Sequence, residues 1–281
     1  MAFPRPGPAL KTLLFLIGAL GILEAIVVNY VPDGARWFQA LACSTEGVLH
    51  GQIFPGVPEV WRLVTAGFLT RPDTLGHLIF TLIGLYFLSP DLEKRWGGAR
   101  FVRFILTSFV VGFLLSIAVD LVASPSAPAA FHPATMYGAT AAITATSIAW
   151  SKINAHLQVR LFFFLPVSGR QLFWVTIGFC ILGLIYPASI PEGVAAPFGG
   201  VLTGLLLGGS PSVLRTLWLR LKLMVLRGRA GSDAAALSDR SGRPAPRKKG
   251  GADSPPLRIV QGGLEDELKK RRPPKDKRYL N

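Results

Sequence analysis

Six apolar segments, each bounded by charged, proline or glycine residues, divide the first 210 positions: 10–31, 77–89, 101–122, 134–150, 171–186 and 194–209. Crossing a hydrocarbon core of about 30 Å takes about 20 helical residues at 1.5 Å each, and in lipid every backbone polar group must be satisfied within the chain. The pattern therefore predicts an all-α, polytopic membrane protein of six transmembrane helices. Several segments are shorter than a full span, which requires a locally thinned bilayer or helices shielded by their neighbours. Composition agrees, with half of the residues apolar and only 16% charged. A soluble domain carries about 25% charged residues, and a disordered chain lacks the apolar content. The first segment follows Arg5 and Lys11 much as a signal peptide would, but it is too long for a signal core and no small-residue cleavage site follows closely. It reads as a retained first helix.

Charge is unevenly divided. Residues 1–210 hold 12 Lys+Arg against 9 Asp+Glu, while residues 211–281 hold 18 against 7, so +11 of the net +14 lies in the last quarter of the chain. A strongly basic protein ordinarily points to nucleic acid. An excess confined to a tail behind an apolar body points instead to membrane lipids with anionic headgroups, and no aromatic-interleaved basic patch for nucleic acid accompanies it. Placing the N-terminus in the cytoplasm puts 27 of the 30 basic residues inside and leaves Arg36, Arg62 and Arg71 outside. The bias survives removal of the tail, so both termini are expected in the cytoplasm of a multi-pass protein of bacterial inner-membrane type. The expected organisation is a transmembrane domain over 1–210, a basic juxtamembrane helix over 211–228 and a disordered basic cytoplasmic tail over 229–281.

The first external loop, about residues 32–76, is long and carries Trp37, Phe38, Phe54 and Trp61, which places it at or in the outer leaflet. Cys43 sits in that polar loop and Cys180 in an apolar run, so no disulfide is expected and both thiols read as inert. No cluster of metal-ligand residues and no phosphate-binding glycine loop is present, and neither a metal nor another cofactor is expected.

Several strings in fixed order carry a family resemblance. Glu59 to Thr65 read ExWRLxT, Gly76 and His77 open the second apolar segment, and Leu92, Glu93 and Arg95 to Gly98 lie in an LEKRWGG run. Their order, loop and topology resemble the rhomboid intramembrane serine protease superfamily over roughly residues 12–210. The resemblance implies a six-helix bundle in which a GxSG serine opening the fourth helix pairs with a histidine in the sixth.

The matching positions here are altered. Gly138, Ala139, Thr140 and Ala141 occupy the GxSG positions, so a hindered secondary hydroxyl, that of Thr140, stands for the serine. Ala196 to Gly200 align with Ala-His-x-Gly-Gly, which puts Pro197, without an ionisable group, at the base position. The family's HxxxN in the second helix becomes His77 with Thr81, four residues apart and on one face, so the amide donor of the oxyanion side is gone. His132, eight residues ahead of Thr140, offers a conceivable substitute base, although a flexible loop holds distances poorly.

Structural roles compete for the same residues. Thr140 lies in a small-residue surface, and Gly200, Gly204 and Gly208 repeat at the spacing of close helix packing. Trp61 and Arg62 suit interface anchoring and loop-carbonyl bonding, Gly138 and Gly199 belong to the same motifs, and Glu93 with Arg95 or Arg100 is expected in a capping or ion-pair arrangement at the cytoplasmic end of the second helix. Glu24 is an ionisable group in mid-span, expected either to be functional or to bond a neighbouring helix, while Asp120 at an outer helix end needs no special role. Taken together, the expectation is a catalytically deficient member, derlin-like or inactive-rhomboid-like, that binds transmembrane segments of client proteins. The alternative is an active intramembrane endopeptidase with Thr140 as nucleophile.

Overall fold

The computed structural model describes residues 5–161, 165–186 and 190–209, with scattered positions between 216 and 226. The expected juxtamembrane helix is thus described only in part, and the tail over 229–281 lies outside the described residues. By contacts the chain divides into one unit over 1–225 and a second over 226–281.

Among the described residues the first unit is all-α apart from one small hairpin. Its helices are α1 (Pro8–Tyr30), α2 (Gly34–Leu41), α3 (Thr45–His50), α4 (Arg62–Thr65), α5 (Leu75–Leu88), α6 (Pro90–Trp96), α7 (Gly98–Val122), α8 (Thr140–Ile153), α9 (Gly169–Ile185) and α10 (Ala196–Leu207). Strands β1 (Gln158–Leu161) and β2 (Leu165–Ser168) pair antiparallel between α8 and α9, with Gln158 opposite Ser168. Ser168 and Gln171 then form a reciprocal capping box that starts α9.

Two helices, α1 and α7, are each long and apolar enough to cross a membrane, and α5 with α6, bent by 46°, makes a third candidate. The bend falls at Ser89–Pro90, where proline cannot continue the hydrogen-bond ladder of α5. By contrast α8, at 14 residues, is about 21 Å long and α10, at 12, about 18 Å.

Those short helices form the centre of the molecule. Ten of the 14 residues of α8 are buried, and alanine, serine and threonine predominate among them. Small side chains let a backbone approach closely. A Cβ on Gly200 would collide with Ala141 O, one on Gly204 would lie 2.7 Å from Ala145 O, and one on Gly208 would lie 2.7 Å from Ala149 Cβ. So α10 lies directly against α8, while Gly199 abuts the backbone of α7 at Gly112. Around this contact, Phe101, Phe104, Ile105, Phe109 and Phe113 of α7 form the bulk of the apolar core with Leu10 and Ile17 of α1 and Leu85 of α5.

Two sequence expectations are corrected. Residues 134–139 are not helical: Met136 pairs with Cys43 in an isolated antiparallel bridge, so α8 begins only at Thr140. Glu93 pairs with neither Arg95 nor Arg100. Its carboxylate accepts from the N–H groups of Ala9 (2.9 Å) and Leu10 (3.3 Å), supplying the first turn of α1, whose Gly7 N-cap has no side chain to do so. Arg95 instead bonds Asp91, and Arg100 stacks on Trp96 at 5.0 Å. Asp120, at the outer end of α7, accepts from Thr45 and bonds His132. Cys43 and Cys180 are both free and buried, and burial pushes the Cys43 thiol up to about 12, far from thiolate chemistry.

The close α8–α10 contact yields a packing test. Gly204→Val is expected to destabilise the protein by about 1–3 kcal/mol through overpacking, read from unfolding in mixed detergent micelles. Gly178→Ala, where a Cβ meets open space, is expected to leave the transition unmoved.

Candidate functional site

At the N-terminus of α8, the chain enters through Gly138, whose φ of +128° is one that L side chains rarely adopt. A Cβ there would also run into the carboxylate of Glu192. Glycine is thus required twice, by conformation and by space. Beyond it the first N–H of α8, that of Thr140, donates to Glu192 Oε1 at 2.8 Å. The Thr140 hydroxyl makes no hydrogen bond among the described residues, so no base is paired with it.

Glu192 lies in the segment before α10 and is fully buried. Its backbone is anchored by Ser116 of α7, which donates to Glu192 O at 3.1 Å, and by the Tyr137 N–H, which donates to Pro191 O. On its other side stands His77, with Nε2 3.7 Å from Oε1. His77 Nδ1 accepts from the Arg71 N–H at 3.3 Å. A neutral imidazole accepting at Nδ1 carries its proton on Nε2, so the geometry turns an N–H toward the carboxylate. Neither His77 Nε2, Glu192 Oε2 nor the buried Thr81 Oγ1 has a hydrogen-bond partner. The structure therefore brings together Thr140, His77 and Gly138 from the sequence reading, around a carboxylate that reading did not single out.

Pro197 is buried in the first turn of α10, a position where its missing N–H costs no helical bond. It offers no proton acceptor. His132 is held elsewhere: Nδ1 meets Asp120 at 2.8 Å and Nε2 meets Ser124 O at 3.0 Å. With both ring nitrogens occupied, His132 is not available as a base for Thr140. The Ser124 carbonyl first, then the Asp120 carboxylate, raise the His132 pKa above its ordinary value by favouring the doubly protonated ring.

The long loop folds around Arg62. This guanidinium is buried, donates to Gln39 O and Ala42 O at 2.8 Å each, and pairs with Glu59. Glu59 in turn accepts from the N–H groups of Gln52, Ile53 and Phe54. Burial alone would raise the Glu59 pKa, but those N–H bonds and Arg62 hold it below the usual carboxylate range. Trp61 remains partly exposed, edge-on to Phe54. On α1, the buried Glu24 accepts from the Thr70 N–H at 2.9 Å, in the loop ahead of α5 and not on a neighbouring helix. Among the described residues no group of His, Cys, Asp or Glu could hold a metal ion.

Glu192 was missed because only the fold relates it to Thr140, 52 residues away. One signal was available: it is the only carboxylate between Asp120 and the tail.

A family description, Rhomboid domain, matches residues 57–210, more than half of the chain. Among characterised proteins, Rhomboid-like protein 19 of Arabidopsis thaliana is 26% identical over 102 residues, a stretch covering 36% of this chain and 28% of that protein. The match thus spans under a third of the relative's length.

Two measurements check the site's supports. Arg62→Ala strands the buried Glu59 and two loop carbonyls, and is expected to cost about 3 kcal/mol, seen as a lowered melting temperature in detergent. For His132, the raised pKa means that its stabilisation is full below the unfolded value of 6.5 and fades as pH rises through the higher folded value. The melting-temperature gap between wild type and His132→Asn is expected to be widest below about pH 6.5 and to narrow in alkali.

Proposed function

We propose a non-catalytic role for this chain, which belongs to the rhomboid family: it holds transmembrane segments of client proteins and does not cleave them. The observation that carries the reading is the Glu192 carboxylate on the Thr140 N–H. Acyl transfer at a hydroxyl nucleophile develops an oxyanion that needs free N–H donors beside the nucleophile. Here that first helical N–H is engaged by a negative group, which would repel a second one. The Thr140 hydroxyl also lacks a base, since Pro197 has none to offer and His132 is bound elsewhere.

In this reading α1, the α5–α6 pair, α7, α8, α9 and α10 supply six spans, with both termini in the cytoplasm of a bacterial-type inner membrane. The charge bias supports that orientation, and packing around α8 and α10 supports spans shorter than the bilayer. Both α5 and α9 pack on α8 and expose Ile79 and Phe80, and Trp174 and Phe179, respectively. Such apolar faces suit a client helix, and the basic tail adds attraction to anionic lipid.

The purified protein in detergent is expected to remain unlabelled by a fluorophosphonate probe, and labelling that disappears in Thr140→Val would overturn the non-catalytic reading. A photo-crosslinking phenylalanine at Phe80 or Trp174 is expected to capture membrane-embedded proteins in cells. Capture of lipid alone at both positions would remove the client-holding role.

A further inference from the structure

Residues 123–139, between α7 and α8, carry two titratable side chains, His132 and Tyr137. Tyr137 feels the charges of Arg71, Asp73, Glu24 and Glu192 and belongs with the cluster around Thr140. His132 faces a different set: Nδ1 meets Asp120 Oδ1 at 2.8 Å and Nε2 meets Ser124 O at 3.0 Å. An ionised carboxylate and a carbonyl are both acceptors only. Both contacts are therefore hydrogen bonds only when both ring nitrogens carry protons, and the geometry is that of an imidazolium. A neutral ring has a single N–H, so one of its two nitrogens would set a lone pair against an oxygen.

These two bonds close residues 124–132 into a ring that includes the 3-10 turn Ala129–Phe131. The other carboxylate oxygen of Asp120 accepts from Thr45 at the start of α3, so one side chain joins α7, the long loop and the segment that leads into α8. Downstream of the ring, Met136 exchanges N–H and C=O with Cys43, the Tyr137 N–H donates to Pro191 O, and the Gly138 N–H donates to Ala66 O. Closing the ring at His132 shortens the free length of chain ahead of those contacts, which lowers the entropy that forming them costs. Asp120 is the charged group that α7 brings to this end of the bundle, and the 3-10 turn brings none. On α3, Glu46 and His50 pair with each other at 3.5 Å and are exposed.

We propose that His132 is a proton-operated latch on the segment between α7 and α8: charged, it ties Asp120 to Ser124 and closes the loop, and on losing its proton it releases Ser124 and loosens the entrance to α8. The bond that survives is the one to Asp120, because a hydrogen bond to a carboxylate is the stronger of the two. The raised pKa of His132 has the sign this requires. Binding the proton favours the closed form, so the latch is closed below the folded pKa and opens as pH rises through it. The device is independent of whether the chain cleaves or holds a client, because no residue around Thr140 takes part in the proton exchange.

Two measurements on the full-length protein in detergent test the latch together. An NMR titration of the histidine Cε1 signals, with His132 assigned by the signal lost in His132→Asn, gives the midpoint. Hydrogen–deuterium exchange, corrected for the intrinsic rate at each pH, then reads the amides of Phe131, His132 and Met136, which donate to Pro128 O, Ala129 O and Cys43 O. From about one unit below the midpoint to about one unit above it, protection of these amides is expected to fall about threefold or more, while that of the buried α8 amides stays constant. Asp120→Asn is expected to lower the midpoint and to carry the loss of protection down with it. His132→Asn is expected to abolish the pH dependence, and His50→Asn to leave it intact. A His132 midpoint at or below the ordinary 6.5, protection that holds while His132 titrates, an equal loss throughout α8, an unmoved midpoint in folded Asp120→Asn, or a pH dependence that survives His132→Asn or disappears in His50→Asn would each overturn the proposal. Should Asp120→Asn not fold, the comparison of wild type with His132→Asn decides alone.

Discussion

A helix that begins or ends inside protein leaves backbone N–H or C=O groups that no water can satisfy, and in this molecule charged side chains from distant segments satisfy them. Glu93 supplies the first turn of α1 from 84 residues away, and Glu192 does the same for α8. At the other polarity, Lys152 and Arg100 reach carbonyls at and just beyond the end of α10. Each arrangement matches the sign of the helix dipole, negative at the N-terminus and positive at the C-terminus. Because α8 and α10 are short and enclosed, their ends fall within the molecule, and these long-range contacts hold the start of α8 and the end of α10.

The same logic gives Glu192 its dual character. As a structural element it satisfies the first N–H of α8 and lies against Gly138 at a φ that favours glycine. As a chemical element it puts negative charge at the one helix terminus where an incoming carbonyl would need positive potential. His77 faces it with an N–H, fixed in that tautomer by the Arg71 amide. The cluster is therefore organised around a resident carboxylate, with acceptor capacity left over at Glu192 Oε2 and Thr81 Oγ1.

How much of this was legible in the sequence depends on range. The cores of α1, α5, α7, α9 and α10 coincide with apolar runs because burial and lipid exposure both select apolar residues, and the Gly200–Gly204–Gly208 spacing is a local pattern on one helix face. Less legible was the start of α8, since residues 134–139 are apolar enough for helix but Met136 is captured by Cys43 across the long loop. The partners of Glu93 and Glu192 were not legible at all. Nothing within four residues of either marks the amides they bond, and a carboxylate near several arginines suggests ion pairing until the fold turns it elsewhere. The motif at Arg62 was legible as a string, but its content, a guanidinium organising two loop carbonyls and a Glu59 that gathers three amides, required the loop's path.

Three residues near the packed centre, Pro197, Thr140 and Glu192, also share a direction. Pro197 occupies the first turn of α10, where its fixed φ favours helix initiation. Thr140 begins α8 with a hydroxyl free of any base, and Glu192 closes the exposed amide that precedes the helix's own ladder. Each suits its local backbone, and in the proposed non-catalytic reading none has to be held poised for reaction. Because the three lie on different elements that meet only through α8, α7 and α10, altering one leaves the others in place. A serine at position 140 would leave its N–H still bonded to Glu192. In the proposed non-catalytic reading, the constraint against hydrolysis is therefore distributed over the packed centre of the bundle and does not rest on any single missing atom.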